Sequence, residues 1–209
     1  RSALRRSRLV SPVVGVLALQ GDVAEHVQAL RAVGVHTHQV RTAEDLRQVD
    51  GLVLPGGEST TIARLAQIFG LLEPLRQAIA DGLPCFGSCA GMILLADRVL
   101  DGEVDQPTFG GMDITVRRNA FGRQVDSFET DLTVAGIPGP PMRAVFIRAP
   151  WIEEIGPGVE VLATVTEGPA EGRIVAAAQA NLMVCSFHPE LTSDTRLHQM
   201  FVEKVKGTP

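Results

Sequence analysis

The stretch PCFGSCAGMILLA, residues 84–96, joins a short apolar run to a second apolar run through Gly87, Ser88, Cys89, Ala90 and Gly91. The first run has the length of a buried strand and the second reads as the start of a helix, so the five residues between them form a sharp strand-to-helix turn. Glycines stand two positions either side of Cys89, where the strand and helix backbones must approach without Cβ atoms between them. The thiol is then held in strained backbone at a helix N-terminus, where unpaired N–H groups and the helix dipole favour the thiolate. A free cysteine is most often only a small buried residue. The paired glycines and the strand-helix setting instead make Cys89 a candidate nucleophile, whereas Cys85, inside the strand, reads as inert core.

Outward towards the N-terminus the same alternation repeats. Val13 to Leu19 is a β-rich apolar run, the turn at Gln20, Gly21 and Asp22 leads into helical spacing over Val23 to Val33, and Val35 to Val40 alternates as a second strand. A short helix near Ala43 to Gln48 precedes the buried run Leu52 to Leu54. After the loop Pro55 to Glu58, two amphipathic segments are predicted over Thr60 to Phe69 and Leu71 to Asp81, with Ser59 or Thr60 as the helix cap. Strands separated by helices imply a mostly parallel central sheet with helices on both faces, a three-layer αβα sandwich.

The second half changes character. Ile114 to Val116, Phe128 to Val134, Ala144 to Ile147, Val159 to Val165, Ile174 to Ala178 and Met183 to Phe187 are strand-like and punctuated by glycine and proline. Antiparallel additions to the sheet are expected there, before a closing helix over about Thr195 to Val205. Residues 13–209 read as one domain, because a chain of 209 residues with 45% hydrophobic content buries one sizeable core. Residues 1–12 read as an arginine-rich extension. The apolar run Val10 to Leu19 is interrupted by Pro12 and Gly15 and is too short to span a bilayer.

Near the other end, MVCSFHPEL, residues 183–191, closes a buried strand on His188 and Glu190. Two apart in extended backbone, these side chains share a face, and Pro189 stiffens the link. A carboxylate beside an imidazole fixes its tautomer and stabilises its charged form, as a thiol-activating base requires. Cys85, Cys89, Cys185 and His188 also have spacings that mimic a zinc site, but two of them fall inside apolar strands, and no metal is expected. His36 and His38 read as one exposed strand edge. His26 and His198 fall on helices and carry no signal.

Composition narrows the classes. A net charge of -5 from 24 acidic and 19 basic residues leaves no basic face for a nucleic acid. Lys204 and Lys206 are the only lysines, which disfavours Schiff-base chemistry. Three cysteines outside any small secreted framework fit free thiols in a cytoplasmic protein.

Taken together, LALQGDVAEH, LPGGESTT, GSCAG, RNAFGRQVDSFE, VFIRAP and SFHPEL resemble the glutaminase subunit of pyridoxal 5′-phosphate synthase, the PdxT/SNO family of class I glutamine amidotransferases. The elbow and the HPE motif are shared across class I. The QGD turn, GGEST and RNAFGRQVDSFE narrow the resemblance to this subunit. Ser88 stands where threonine is common in that family, and Trp151 where histidine is common. The resemblance implies hydrolysis of L-glutamine to glutamate and ammonia by Cys89, His188 and Glu190, with Gly57 and Ala90 as oxyanion donors. It assigns Gly57, Glu58, Ser59, Arg118, Ile147 and Arg148 to the glutamine site and Gln20 to a contact that responds to the partner. Arg118 or Arg148 can grip the substrate α-carboxylate bidentately. The implied partner is a barrel-shaped, PdxS-like synthase subunit in a hetero-oligomer, which receives ammonia and combines it with ribose 5-phosphate and glyceraldehyde 3-phosphate. Pyridoxal 5′-phosphate is then a product made on the partner, and no cofactor is expected on this chain. Two other readings share the motifs: the glutaminase of another pair, such as imidazole glycerol phosphate synthase, and a non-catalytic scaffold subunit.

Overall fold

The computed structural model describes residues 11–102, 106–120 and 127–207. The arginine-rich segment 1–10 and most of the FGRQVDS stretch, at 121–126, therefore lie outside the described residues. In chain order the elements are β1 (Val13–Leu17), α1 (Val23–Ala32), β2 (His36–Val40), α2 (Ala43–Leu46), β3 (Gly51–Leu54), α3 (Ser59–Ile68), α4 (Leu72–Ala80), β4 (Cys85–Ser88) and α5 (Ala90–Leu95). The second half supplies β5 (Ala96–Leu100), β6 (Met112–Arg117), β7 (Ser127–Leu132), β8 (Met142–Ile147), β9 (Trp151–Ile155), β10 (Glu160–Thr164), β11 (Ile174–Gln179), β12 (Leu182–Cys185) and α6 (Arg196–Lys206).

A ten-stranded sheet runs in the order β2-β1-β3-β4-β12-β11-β9-β6-β5, with β10 paired to β11 off this path. From β2 to β12 the neighbours are parallel, and β12, β11 and β9 pair antiparallel. The central strands are buried on both faces, and alternation sends their side chains to two cores. Leu52 and Leu54 of β3 face the cluster under α3, α4 and α5. Val53 and Phe86 face the cluster with Leu30, Leu197 and Phe201, which belongs to α1 and α6. Three layers result, as the alternating elements predict.

Two expectations need correction. The runs from Phe128 and from Ala144 do not join the main sheet; β7 and β8 form their own two-stranded antiparallel sheet, whose Leu132, Met142 and Phe146 pack on the core beside α1 and α6. Met183 to Phe187 supplies β12, which slots into the centre, antiparallel to β11 and parallel to β4 with Cys185 opposite Ser88. Periodicity reports a strand but not its neighbour, which tertiary packing selects. The α3 cap is also neither Ser59 nor Thr60. Glu58 takes the cap position, and its carboxylate accepts the Thr61 N–H at 2.8 Å, so the helix starts one residue earlier than expected.

Candidate active site

The carboxyl ends of β1, β3, β4 and β12 meet at one edge of the sheet, the edge at which open parallel sheets place their ligands. At the end of β4, Cys89 has φ 50° and ψ -103°, left-handed backbone that a side chain other than glycine adopts only when its surroundings impose it. The imposition is visible in the flanking glycines: a Cβ on Gly87 would lie 2.5 Å from the Gly91 carbonyl group, and one on Gly91 would lie 2.2 Å from the Leu54 oxygen. The Cys89 N–H donates to the Cys185 carbonyl at 2.8 Å, tying the elbow to the strand that leads to His188.

His188 follows β12 by three residues, and its N–H donates to the Val145 carbonyl of β8 at 2.9 Å. The small sheet thus fixes the backbone of the candidate base. Its Nδ1 lies 2.7 Å from Glu190 Oε1 and 3.3 Å from Asp22 Oδ2. Its ring and the Cys89 side chain line the same cavity. Burial alone would discourage charge on this ring, but Cys89 and the hydrogen-bonded Glu190 beside it outweigh burial, raising the pKa to about 10. His188 is therefore an imidazolium at neutral pH, facing sulfur on one side and carboxylate on the other. Glu190 is buried, which raises its pKa against the opposing pull of His188.

A cavity of about 440 Å³ opens over this pair. Cys89, His188, Gly57 and Ala90 line it, as do Gln20, Glu58 and Ser59 from the β1 and β3 ends and Arg118, Ile147 and Arg148 from the far side. Glu190 stands behind His188, away from the cavity wall. Gln20 Oε1 accepts the Glu58 N–H at 2.8 Å, so the QGD turn holds the glycine loop against the nucleophile. Arg118 is already engaged, donating to Gln106 at 2.7 Å and to Glu58 at 3.1 Å. Arg148, in left-handed backbone at φ 43°, makes no ion pair among the described residues, which leaves it the better placed of the two arginines for a substrate carboxylate.

Asp22, Asn119, Ile93 and Leu191 also line the cavity and were not expected; they lie inside the quoted stretches, and no spacing rule singles them out. The buried pair His26 and His198, set aside on sequence because each sits on a helix, lies against the far side of Glu190. Cys85, Cys89 and Cys185 are free thiols. Burial pushes Cys85 up to about 12, and burial, with Glu190 and Cys89 nearby, pushes Cys185 well up too, so neither competes as a nucleophile at neutral pH. These cysteines do not converge with His188 as ligands. Among the described residues the one cluster close enough to hold a cation is Asp22, His188 and Glu190, and there the imidazole nitrogen facing the carboxylates is already hydrogen-bonded. His36 and His38 lie on the edge strand β2, where His38 pairs with Asp45 at 3.0 Å.

A thiol on a strand-helix elbow, a histidine-carboxylate pair just past the end of the adjacent parallel strand and a mixed sheet with helices on its faces together define a class, the triad amidotransferase fold. One solved structure, a glutamine amidotransferase, shares it at 46% identity and a TM-score of 0.85, covering 92% of this chain and 98% of that one. The chain belongs to the SNO glutamine amidotransferase family, whose model matches residues 16–207. It is similar to pyridoxal 5′-phosphate synthase subunit PdxT of Salinispora arenicola, 62% identical over 95% of this chain and 99% of the relative. The subunit of the same name from Nocardia farcinica is 63% identical over 94% of this chain and 87% of the relative.

Proposed function

We propose that the chain hydrolyses L-glutamine and passes the ammonia to a synthase subunit that builds pyridoxal 5′-phosphate. The observation that carries the chemistry is Cys89 and His188 lining one cavity with a glycine loop and arginines, His188 being hydrogen-bonded to Glu190 behind it. Cys89 Sγ attacks the side-chain amide carbon, and the oxyanion takes N–H groups of Gly57 and Ala90. Imidazolium His188 gives its proton to the departing nitrogen, which leaves as ammonia. Water then attacks the thioester with His188 as base, the thiolate leaves, and glutamate is released; Glu190 keeps the ring aligned throughout.

Every step uses this chain's side chains, its backbone and water; the proposal needs no metal and no cofactor on this chain, pyridoxal 5′-phosphate being made on the partner. Arg148 holds the α-carboxylate, and Glu58, Ser59, Arg118 and Ile147 shape the rest of the glutamine pocket. The name carried by the relatives favours the vitamin B6 pair over the imidazole glycerol phosphate pair. The partner we propose is the barrel-shaped subunit that condenses ribose 5-phosphate with glyceraldehyde 3-phosphate, and Gln20, holding the glycine loop, is the contact through which its docking is felt. No helix among the described residues is long and apolar enough to cross a membrane, and a cytoplasmic location accords with three unpaired thiols.

The deciding experiment is glutamate release from glutamine, with and without the synthase subunit, for wild type, Cys89→Ala and His188→Asn. The wild type is expected to be strongly stimulated by the partner and both variants to be inactive. Equal rates with and without the synthase would remove the partner reading, and an active Cys89→Ala would remove the mechanism.

A further inference from the structure

Behind the triad lies a polar cluster that the mechanism so far leaves idle. His26 of α1 and His198 of α6 are fully buried, and so is Ser88, the residue before the nucleophile. His26 Nδ1 lies 3.0 Å from His198 Nε2, and His26 Nε2 lies 2.9 Å from Ser88 Oγ and 3.4 Å from Glu190 Oε2. Buried polar groups without partners cost stability, yet two atoms here lack a hydrogen bond: His198 Nδ1 and Glu190 Oε2.

These facts select a tautomer. If His198 carried its hydrogen on Nδ1, a buried N–H would be orphaned, and such donors are rarer than orphaned acceptors. The hydrogen therefore sits on His198 Nε2 and is donated to His26 Nδ1. His26 must then carry its own hydrogen on Nε2, facing Ser88 and the unpartnered oxygen of Glu190. The opposite arrangement leaves an orphan N–H at His198 and turns a lone pair of His26 towards a carboxylate. Both rings remain neutral, since burial, reinforced by His198 and His188, pushes His26 well below the usual histidine range, and burial brings His198 down to about 4. Edge contacts of Phe86 with both rings hold their planes.

We propose that His26 is a positioning residue for the reaction: with its tautomer set by His198, it hydrogen-bonds Ser88 through Nε2 and turns the same N–H edge towards the second oxygen of Glu190, 3.4 Å away, and so keeps the carboxylate ionised and aligned behind His188. The proposal rests on the triad reading above. It assigns a role to two helices that do not reach the cavity, and it gives the hydroxyl at position 88 the task of joining the nucleophile's turn to the carboxylate's support.

The groups facing Glu190 are His188, Asp22 and His26, with Cys185 on its own strand and Cys89 beyond His188. Removing the His26 donor destabilises the Glu190 anion, so its pKa rises and the acid limb of kcat/KM moves to higher pH. The test is steady-state glutamine hydrolysis across pH, with the synthase present, for His26→Asn, His26→Leu, His26→Gln and His198→Leu beside His188→Asn. His26→Asn and His26→Leu are expected to lose about 10- to 100-fold in kcat with KM unchanged, the scale of lost outer-sphere support, and to shift the acid limb upward. His26→Gln, whose amide reaches close to the Nε2 position, should restore most of the rate. His198→Leu leaves the donor in place but frees its tautomer, and should shift the limb the same way by less.

If His188→Asn is inactive while the His26 and His198 variants match wild type in kcat and pH profile, this proposal falls alone. Uniform loss in all of them, with lowered thermal midpoints and an unmoved acid limb, marks a purely structural role and overturns it. Should His26→Leu fail to fold, the Gln against Asn contrast and His198→Leu decide. An active His188→Asn would instead remove the triad reading beneath it.

Discussion

His188 concentrates the electrostatics of the site, and its pH dependence has a definite sign. The folded pKa of about 10 stands above the unfolded value of 6.5, so the stabilisation it reports is complete below pH 6.5 and is lost as pH climbs through 10. Thermal midpoints measured from pH 6.5 to 10 should fall for the wild type and fall less for Cys89→Ala, which lacks the foremost group raising that pKa. A second expectation concerns Arg148: if it holds the substrate carboxylate in ground and transition states alike, Arg148→Ala raises KM by roughly 10- to 100-fold, the worth of a charge-assisted hydrogen bond, and leaves kcat nearly intact. Both arguments use residues that sequence had already singled out. Cys89, His188 and Glu190 were singled out by local signals, two glycines around a cysteine and a histidine two residues from a glutamate, but those last two meet through a 3-10 turn at Pro189–Leu191 and not through the extended backbone expected. His26 and His198 were not, because a histidine on a helix looks the same whether it meets solvent or a partner 172 positions away. The backing of Glu190 exists only once α1 and α6 have packed.

At the scale of elements, the elbow is the least forgiving piece. Gly91 lies so near β3 that any added side chain meets backbone rather than a movable side chain, so Gly91→Ala should cost at least about 2 kcal/mol in urea unfolding, as overpacking against a rigid wall does. It should also slow labelling of Cys89 by a glutamine-analogue electrophile. The βα units of the first half were readable throughout, since each strand is a short apolar run and each helix has its own period. In the second half β6, β7, β8, β10, β11, β12 and α6 were readable, but β5, β9 and the pairing of the strands were not. That β7 and β8 leave the main sheet follows from which hydrophobic face reaches α1 and α6 first, which no short window of sequence contains. The position of Glu58 as helix cap was missed for a related reason: its carboxylate serves Thr61 and Arg118 together, and the second of these comes from the turn after β6.

Across the whole molecule, the cavity opens at the sheet edge where Ile147 and Leu191 remain partly exposed. Apolar side chains at the rim of a polar cavity suit a surface that another subunit covers. Gln20, bound to the Glu58 N–H, couples that rim to the glycine loop, so Gln20→Ala should lower the synthase-stimulated rate of glutamate release by about 10-fold, the loss of one well-placed hydrogen bond.

The sheet order also bears on when reactivity begins. β12 enters between β4 and β11, so the strand that leads to the imidazole arrives almost a hundred residues after the sulfur has been polymerised. A nascent chain on the ribosome thus exposes its thiol without the group that activates it, and the two become a working pair only when the last strand closes the middle of the sheet.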